Sequence, residues 1–177
     1  VRAMTDLARE YSQVDALHGG LPDFPRSFTG KGVLIGVIDT GFDFMHPAFR
    51  DAEGNSRIVH VWDQSGRNGN TPSMGYGVVF DTPELIRSAA HDVSRDTHGT
   101  HVAAIAASSA DVYKGMAPES DIVVVATDKS ESGIIDALAY LLDYAEKEKK
   151  PIAINLSMGT VIGFKDGTDP IASMIDE

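Results

Sequence analysis

The chain has 177 residues, an apolar share of 42%, no cysteine and a formal net charge of −11. That length and apolar share suit one domain with a core, and the missing thiols exclude a disulfide framework, a cysteine nucleophile and a thiolate metal site. The acidic balance, with no segregated basic patch, disfavours nucleic acid and anionic membrane as partners, and no apolar run approaches the ~20 residues that span a bilayer. The start, Val1-Arg2-Ala3-Met4, has no signal-type apolar stretch behind it and no methionine at position 1, as expected of a processed or trimmed piece.

Residues 1–29 read as a lead-in, and the core begins at Gly30. Val33-Leu34-Ile35-Gly36-Val37-Ile38 is a continuous apolar run between glycines, the pattern of a strand buried on both faces. A weaker strand is expected from Arg57 to Trp62, and Gly66 to Gly77, rich in Gly, Asn, Ser and Pro, reads as a long surface loop. The run Val102 to Ala107 is an apolar helix of small residues that can press closely on a sheet, with His98 in its first turn. Ile122-Val123-Val124-Val125-Ala126 is a second buried strand. Ile134, Ile135, Leu138, Leu141, Leu142 and Ala145 then fall on one helical face, with Ser130 or Ser132 as N-cap and lysines at the C-terminal end, where the helix dipole favours them. The sign-alternating run Glu146 to Lys150 is the solvated end of that helix. Pro151 leads into a third strand, Ile152-Ala153-Ile154-Asn155-Leu156.

A strand, helix, strand unit of this spacing suits a right-handed parallel crossover. The expected fold is α/β: three layers, with a mostly parallel sheet covered by helices on both faces. No internal repeat is present. Near the end, Asp169-Pro170 has the form of an N-cap followed by a first-turn proline, and the helical pattern after it stops at Glu177 within about two turns. A helix that short, without a following strand, leaves a sheet edge and apolar surface uncovered. The chain therefore reads as the N-terminal portion of one domain truncated at its C-terminus, open to association through the uncovered edge.

In a parallel sheet the reactive groups sit just beyond the carboxyl ends of the strands. The first strand ends in Asp39-Thr40-Gly41, where an aspartate can equally be a turn former before glycine. The second feature is Asp96-Thr97-His98-Gly99-Thr100-His101. Unpaired N–H groups and the positive dipole end of a helix disfavour imidazolium, keeping a first-turn histidine neutral and able to act as a general base. A carboxylate on its other ring nitrogen, which Asp39 can supply, would set the tautomer and stabilise the imidazolium formed during reaction. The pair His98 and His101 could instead ligate a metal with Asp39 or Asp96, but His-x-x-His without further ligands is a weak signal. His101 is expected to pack or hydrogen-bond inside the protein.

Asp39-Thr40-Gly41-Phe42-Asp43 with His46-Pro47-Ala48-Phe49, followed by His98-Gly99-Thr100-His101-Val102-Ala103, resembles the aspartate and histidine boxes of the subtilisin-like serine proteases, the subtilases. Gly115-Met116-Ala117-Pro118 is similar to that family's Gly-x-Ala-Pro turn, and Ala153 to Gly159 to its substrate-binding strand. The matches run from about Gly30 to Gly159. The resemblance implies a serine endopeptidase in which Asp39 orients His98 and His98 takes the proton of an attacking serine. It implies that Ser157, Met158 and Gly159 pair with an extended peptide or protein substrate as an added strand. It also implies a secreted or cell-envelope location, and no cofactor.

The family's serine sits in a Gly-Thr-Ser-x-Ala box after the substrate strand, and these 177 residues contain none. The nucleophile and most of the oxyanion hole would belong to a missing C-terminal half, so the isolated chain is expected to be inactive. Three departures stand out. Ala104 replaces a glycine of the histidine box. Ala48 and a shortened Ser108 to Lys114 loop replace the family's calcium ligands, so no metal is expected there. Thr127-Asp128-Lys129 stands where a Gly-rich strand usually lines the cleft, implying unusual specificity. Asp43 is expected to shape the loop after Asp39. Three rivals remain: a non-catalytic peptide or partner-binding module on the same scaffold, an aspartic protease, whose Asp-Thr-Gly carboxylates share a proton, and a metal hydrolase using His98 and His101. Aspartic proteases are all-β and leave the His98 box unexplained.

Overall fold

The computed structural model describes residues 5–20, 22, 26–67, 69–94, 96–159 and 170–176. Two short helices, α1 (Thr5–Tyr11) and α2 (Val14–Gly19), precede the first strand, β1 (Leu34–Asp39). Then follow a 3-10 turn at Pro47–Phe49, β2 (Ile58–Asp63), β3 (Val78–Phe80), α3 (Pro83–Ala89), α4 (His98–Ala107), β4 (Asp121–Ala126), α5 (Glu131–Glu148), β5 (Ile152–Leu156) and α6 (Pro170–Asp176). The strands form one sheet in the order β3-β2-β4-β1-β5. Every pairing is parallel except β2 with β3.

The central strands are covered on both faces, and their side chains sort by period two. Ile35 and Val37 of β1 join Ile122, Val124 and Ala126 of β4 and pack on Ala103 and Ala107 of α4, with Phe42, Phe44, Phe49 and Ile86 filling the same layer. Leu34 and Ile38 point to the other face with Val123 and Val125, against Ala137, Leu138, Leu141 and Ala145 of α5. This is the expected three-layer arrangement. The long helix starts where a cap is present: the Ser130 hydroxyl accepts from the Gly133 N–H at 2.9 Å, and Lys149 closes it in the left-handed conformation.

Several elements were not anticipated. β3 is three residues long, too short for its alternation to register, and is held by antiparallel pairing with β2. The start of α3 does carry a local signal, Thr82-Pro83-Glu84: the Thr82 hydroxyl accepts from the Leu85 N–H at 3.3 Å and proline sits in the first turn. In the lead-in, His18 Nε2 lies 2.9 Å from the carbonyl of Met116, which ties α2 to the loop after α4. α6 begins at Pro170 as expected and packs on α5; the proposed cap Asp169 lies outside the described residues. Among the described residues β5 pairs only with β1, and its residues are exposed or half-buried, whereas all six of β1 are buried.

Candidate active site

Asp39 closes β1 at the centre of the sheet and is only 2% exposed. Its Oδ1 accepts the Thr40 N–H at 2.7 Å, and its carbonyl accepts from Thr127 N–H at 2.9 Å, so carboxylate and backbone are both anchored. The chain then turns at Gly41, where φ is +81° and a Cβ would lie 2.5 Å from the carbonyl carbon of Asp96. Only glycine satisfies both conditions. The turn is laid directly on the first turn of α4: Gly99 N–H donates to Thr40 O at 2.7 Å and Thr100 N–H to Gly41 O at 3.0 Å. A Cβ on Gly99 would come within 2.8 Å of Thr40 O and of the Phe42 ring, so this approach also requires glycine. The Thr100 hydroxyl completes the junction, donating to Gly41 O at 2.9 Å and accepting from Asp43 N–H at 2.8 Å.

The junction brings together two side chains 59 residues apart in sequence. His98 Nδ1 lies 2.9 Å from both carboxylate oxygens of Asp39. An ionised carboxylate only accepts, which places the proton on Nδ1 and leaves Nε2 as the basic nitrogen. The imidazole is 47% exposed against 3% for the Asp39 side chain, and Nε2 makes no hydrogen bond among the described residues. A half-exposed imidazole backed by a buried carboxylate can take a proton from a solvent-side hydroxyl on Nε2, and the carboxylate stabilises the imidazolium that results.

Around this pair the sequence-predicted residues divide. Asp96 is at the exposed end of α4, where Oδ1 accepts Thr97 N–H at 2.6 Å and His98 N–H at 3.2 Å. The bond from Thr97 holds its carboxyl below the usual carboxylate range, outweighing desolvation with help from the His98 N–H and nearby Lys129. Asp96 thus orients the backbone of His98. His101 departs from expectation: it is exposed, and its side chain makes no hydrogen bond among the described residues. The reason is helical geometry, since α4 buries Gly99, Ala103 and Ala107, and His101 is rotated about 200° from Gly99 to the opposite side. Among the described residues no group of three or more His, Asp or Glu side chains comes together as a metal-ligand set. Asp43 accepts Met45 N–H at 2.9 Å, a local turn in the loop after Asp39.

The strand order sets two segments on either side of Asp39. Ala126 is the register partner of Asp39, so Thr127-Asp128-Lys129 continues β4 on one flank. Leu156 is the partner of Ile38, so Ser157-Met158-Gly159 continues β5 on the other. Ser157 and Gly159 are exposed and Met158 is half-buried against the α5-side core. Ser157 Oγ donates to Asn155 Oδ1 at 2.8 Å.

One participant had no signal in the sequence. Asp92, 3% exposed, accepts Gly41 N–H on Oδ2 at 2.8 Å and Phe42 N–H on Oδ1 at 3.1 Å. Burial pushes its carboxyl up, opposed by those backbone bonds. It lines a cavity of about 170 Å³ beside the catalytic-type turn with Thr40, Asp63 and Thr127. Asp63 is likewise buried, and desolvation pushes it up too.

Comparison with known proteins agrees with the geometry. The family profile described as Subtilase family matches residues 30–177. The chain is 32% identical over 139 residues to the subtilisin-like protease PopC of Myxococcus xanthus, covering 73% of this chain and 25% of that protein. It is 30% identical over 171 residues to the serine protease AprX of Bacillus subtilis, covering 90% of this chain and 31% of that protein. Among solved structures, the CspB protease of Clostridium perfringens superposes with a TM-score of 0.69 at 30% identity, over 84% of this chain and 33% of that one. The chain thus spans about a quarter to a third of the length of these relatives. Sheet order, the paired Asp39 and His98, and these matches lead to one statement: the chain belongs to the subtilase family.

Proposed function

We propose that the protein carrying this chain is a serine endopeptidase in which Asp39 and His98 are the first two members of an Asp-His-Ser triad. The observation that carries this reading is His98 Nδ1 held 2.9 Å from both oxygens of a buried Asp39, with the other ring nitrogen on the half-exposed side. In this reading a serine hydroxyl from outside residues 1–177 donates its proton to His98 Nε2 as it attacks the scissile carbonyl. Asp39 stabilises the imidazolium, and His98 returns the proton to the leaving amine. Ser157-Met158-Gly159 pairs with the extended substrate as an added strand beside β5, whose outer edge has no strand partner among the described residues.

The 177-residue chain alone is then inactive, because removing the nucleophile of such a triad costs about 10⁶-fold in kcat. A second reading, a non-catalytic peptide-binding module, is favoured by the same open edge. Fluorophosphonate labelling of the full-length protein separates the two. Labelling of a serine that disappears in His98→Ala establishes the protease. An unlabelled protein that still retains peptides establishes the binding module.

A further inference from the structure

Asp92 stands outside every motif that carries the family resemblance, yet both of its oxygens are committed to the turn behind Asp39. It has no Lys or Arg partner within salt-bridge distance among the described residues. A buried carboxylate without a cation is costly to desolvate, so its contribution must lie in what the charge holds. What it holds is the Gly41 peptide, from one side. From the other side Thr100 binds the Gly41 carbonyl through both its N–H and its hydroxyl. The next peptide toward the N-terminus, that of Thr40, donates its N–H to Asp39 Oδ1, and Asp39 in turn holds His98 Nδ1. A shift of the Gly41 peptide is therefore transmitted to the carboxylate that sets the imidazole. An amide cannot replace the carboxylate here: it has one acceptor oxygen, and its NH₂ would face the second backbone N–H.

We propose that Asp92 is a positioning residue for the Asp39–His98 pair: its two hydrogen bonds to Gly41 and Phe42 fix the turn that aims Asp39 at the imidazole. This rests on the protease reading only for its kinetic consequence, since the geometric consequence for His98 holds for any function. The two are tested together in the full-length protein. Asp92→Asn is compared with wild type and with Asp143→Asn, which removes an acidic charge from the exposed face of α5, away from the Asp39 turn. Asp92→Ser is made alongside, as a smaller uncharged variant.

In Asp92→Asn, kcat on a peptide substrate falls by about 100-fold, the scale of a misplacement near 1 Å. KM stays within about twofold, because no substrate contact is removed. Fluorophosphonate labelling slows in proportion, and the hydrogen-bonded His98 Nδ1 proton resonance shifts or broadens while melting remains cooperative. Asp143→Asn leaves all of these near wild type. The proposal is overturned if folded Asp92→Asn or Asp92→Ser keeps kcat within about threefold and the His98 resonance in place. It is equally overturned if neither variant folds, because Asp92 would then be a folding determinant. If wild type is not labelled at all, the protease reading fails and the His98 resonance alone decides the role of Asp92.

Discussion

The two segments that flank Asp39 rest on very different foundations. Thr127-Asp128-Lys129 extends β4, a strand paired on both sides and nearly wholly buried. Ser157-Met158-Gly159 extends β5, which is paired on one side and half-buried at most. Asp39 lies between them on the most buried strand of the sheet. The Asp39–His98 pair thus sits where packing over-determines the backbone, and the segment proposed to pair with substrate sits where backbone groups are still available. A strand that is already paired on both edges has no backbone donors or acceptors left to offer a peptide.

Predictions follow from that contrast. In the full-length protein His98→Ala lowers kcat by about 10⁶-fold, whereas Ser157→Pro, which changes the backbone of the edge segment, raises KM more than it lowers kcat. Steady-state kinetics on a peptide series reads both, and equal effects on kcat from the two would dissolve the distinction.

Stability sharpens it. Ile38→Ala, at a position with no exposure between β1 and α5, costs about 4 kcal/mol. Ile154→Ala on half-buried β5 costs about 1–2 kcal/mol. Urea midpoints measure the difference, and an edge variant as costly as the central one would show that β5 is as well supported as β1.

A pH-dependent effect is expected at His60 on β2. Burial among Tyr140, Tyr144 and the sheet lowers its pKa from 6.5 to about 4, and its Nε2 lies 2.7 Å from the Tyr140 hydroxyl. The folded state keeps this histidine neutral and the unfolded state does not. Its contribution is therefore full above about pH 6.5 and is lost as the pH falls toward 4, by roughly 3 kcal/mol. His60→Phe should flatten the stability curve across that window. The smallest expected effect is Leu142→Ala on the exposed face of α5, within about 0.5 kcal/mol.

Much of this was legible beforehand, for identifiable reasons. The strands β1 and β4 announce themselves because strands buried on both faces must be apolar throughout, and β5 because its short run after Pro151 is nearly all apolar. α5 does so because eighteen residues of helix repeat the 3.6 period often enough to be recognised. Asp39 and His98 could be named because a strand's carboxyl end and a helix's first turn are positions defined by local sequence. β3 was hidden by its length. His101 was misjudged because the face of α4 that it shares with His98 is the exposed one, opposite buried Gly99.

Asp92 marks the limit of such reading. Nothing near it, in Ala90-His91-Asp92-Val93-Ser94, distinguishes it from an ordinary surface aspartate. Its two partners lie 51 and 50 residues away. Local periodicity and caps were determined by the sequence itself, because each depends on neighbours within a turn or two of chain. The distance from Asp39 to His98, the exposure of one against the burial of the other, and the hold of Asp92 on Gly41 were decided only when β1 and α4 packed, because hydrogen bonds between distant segments exist only once the core has set their separation.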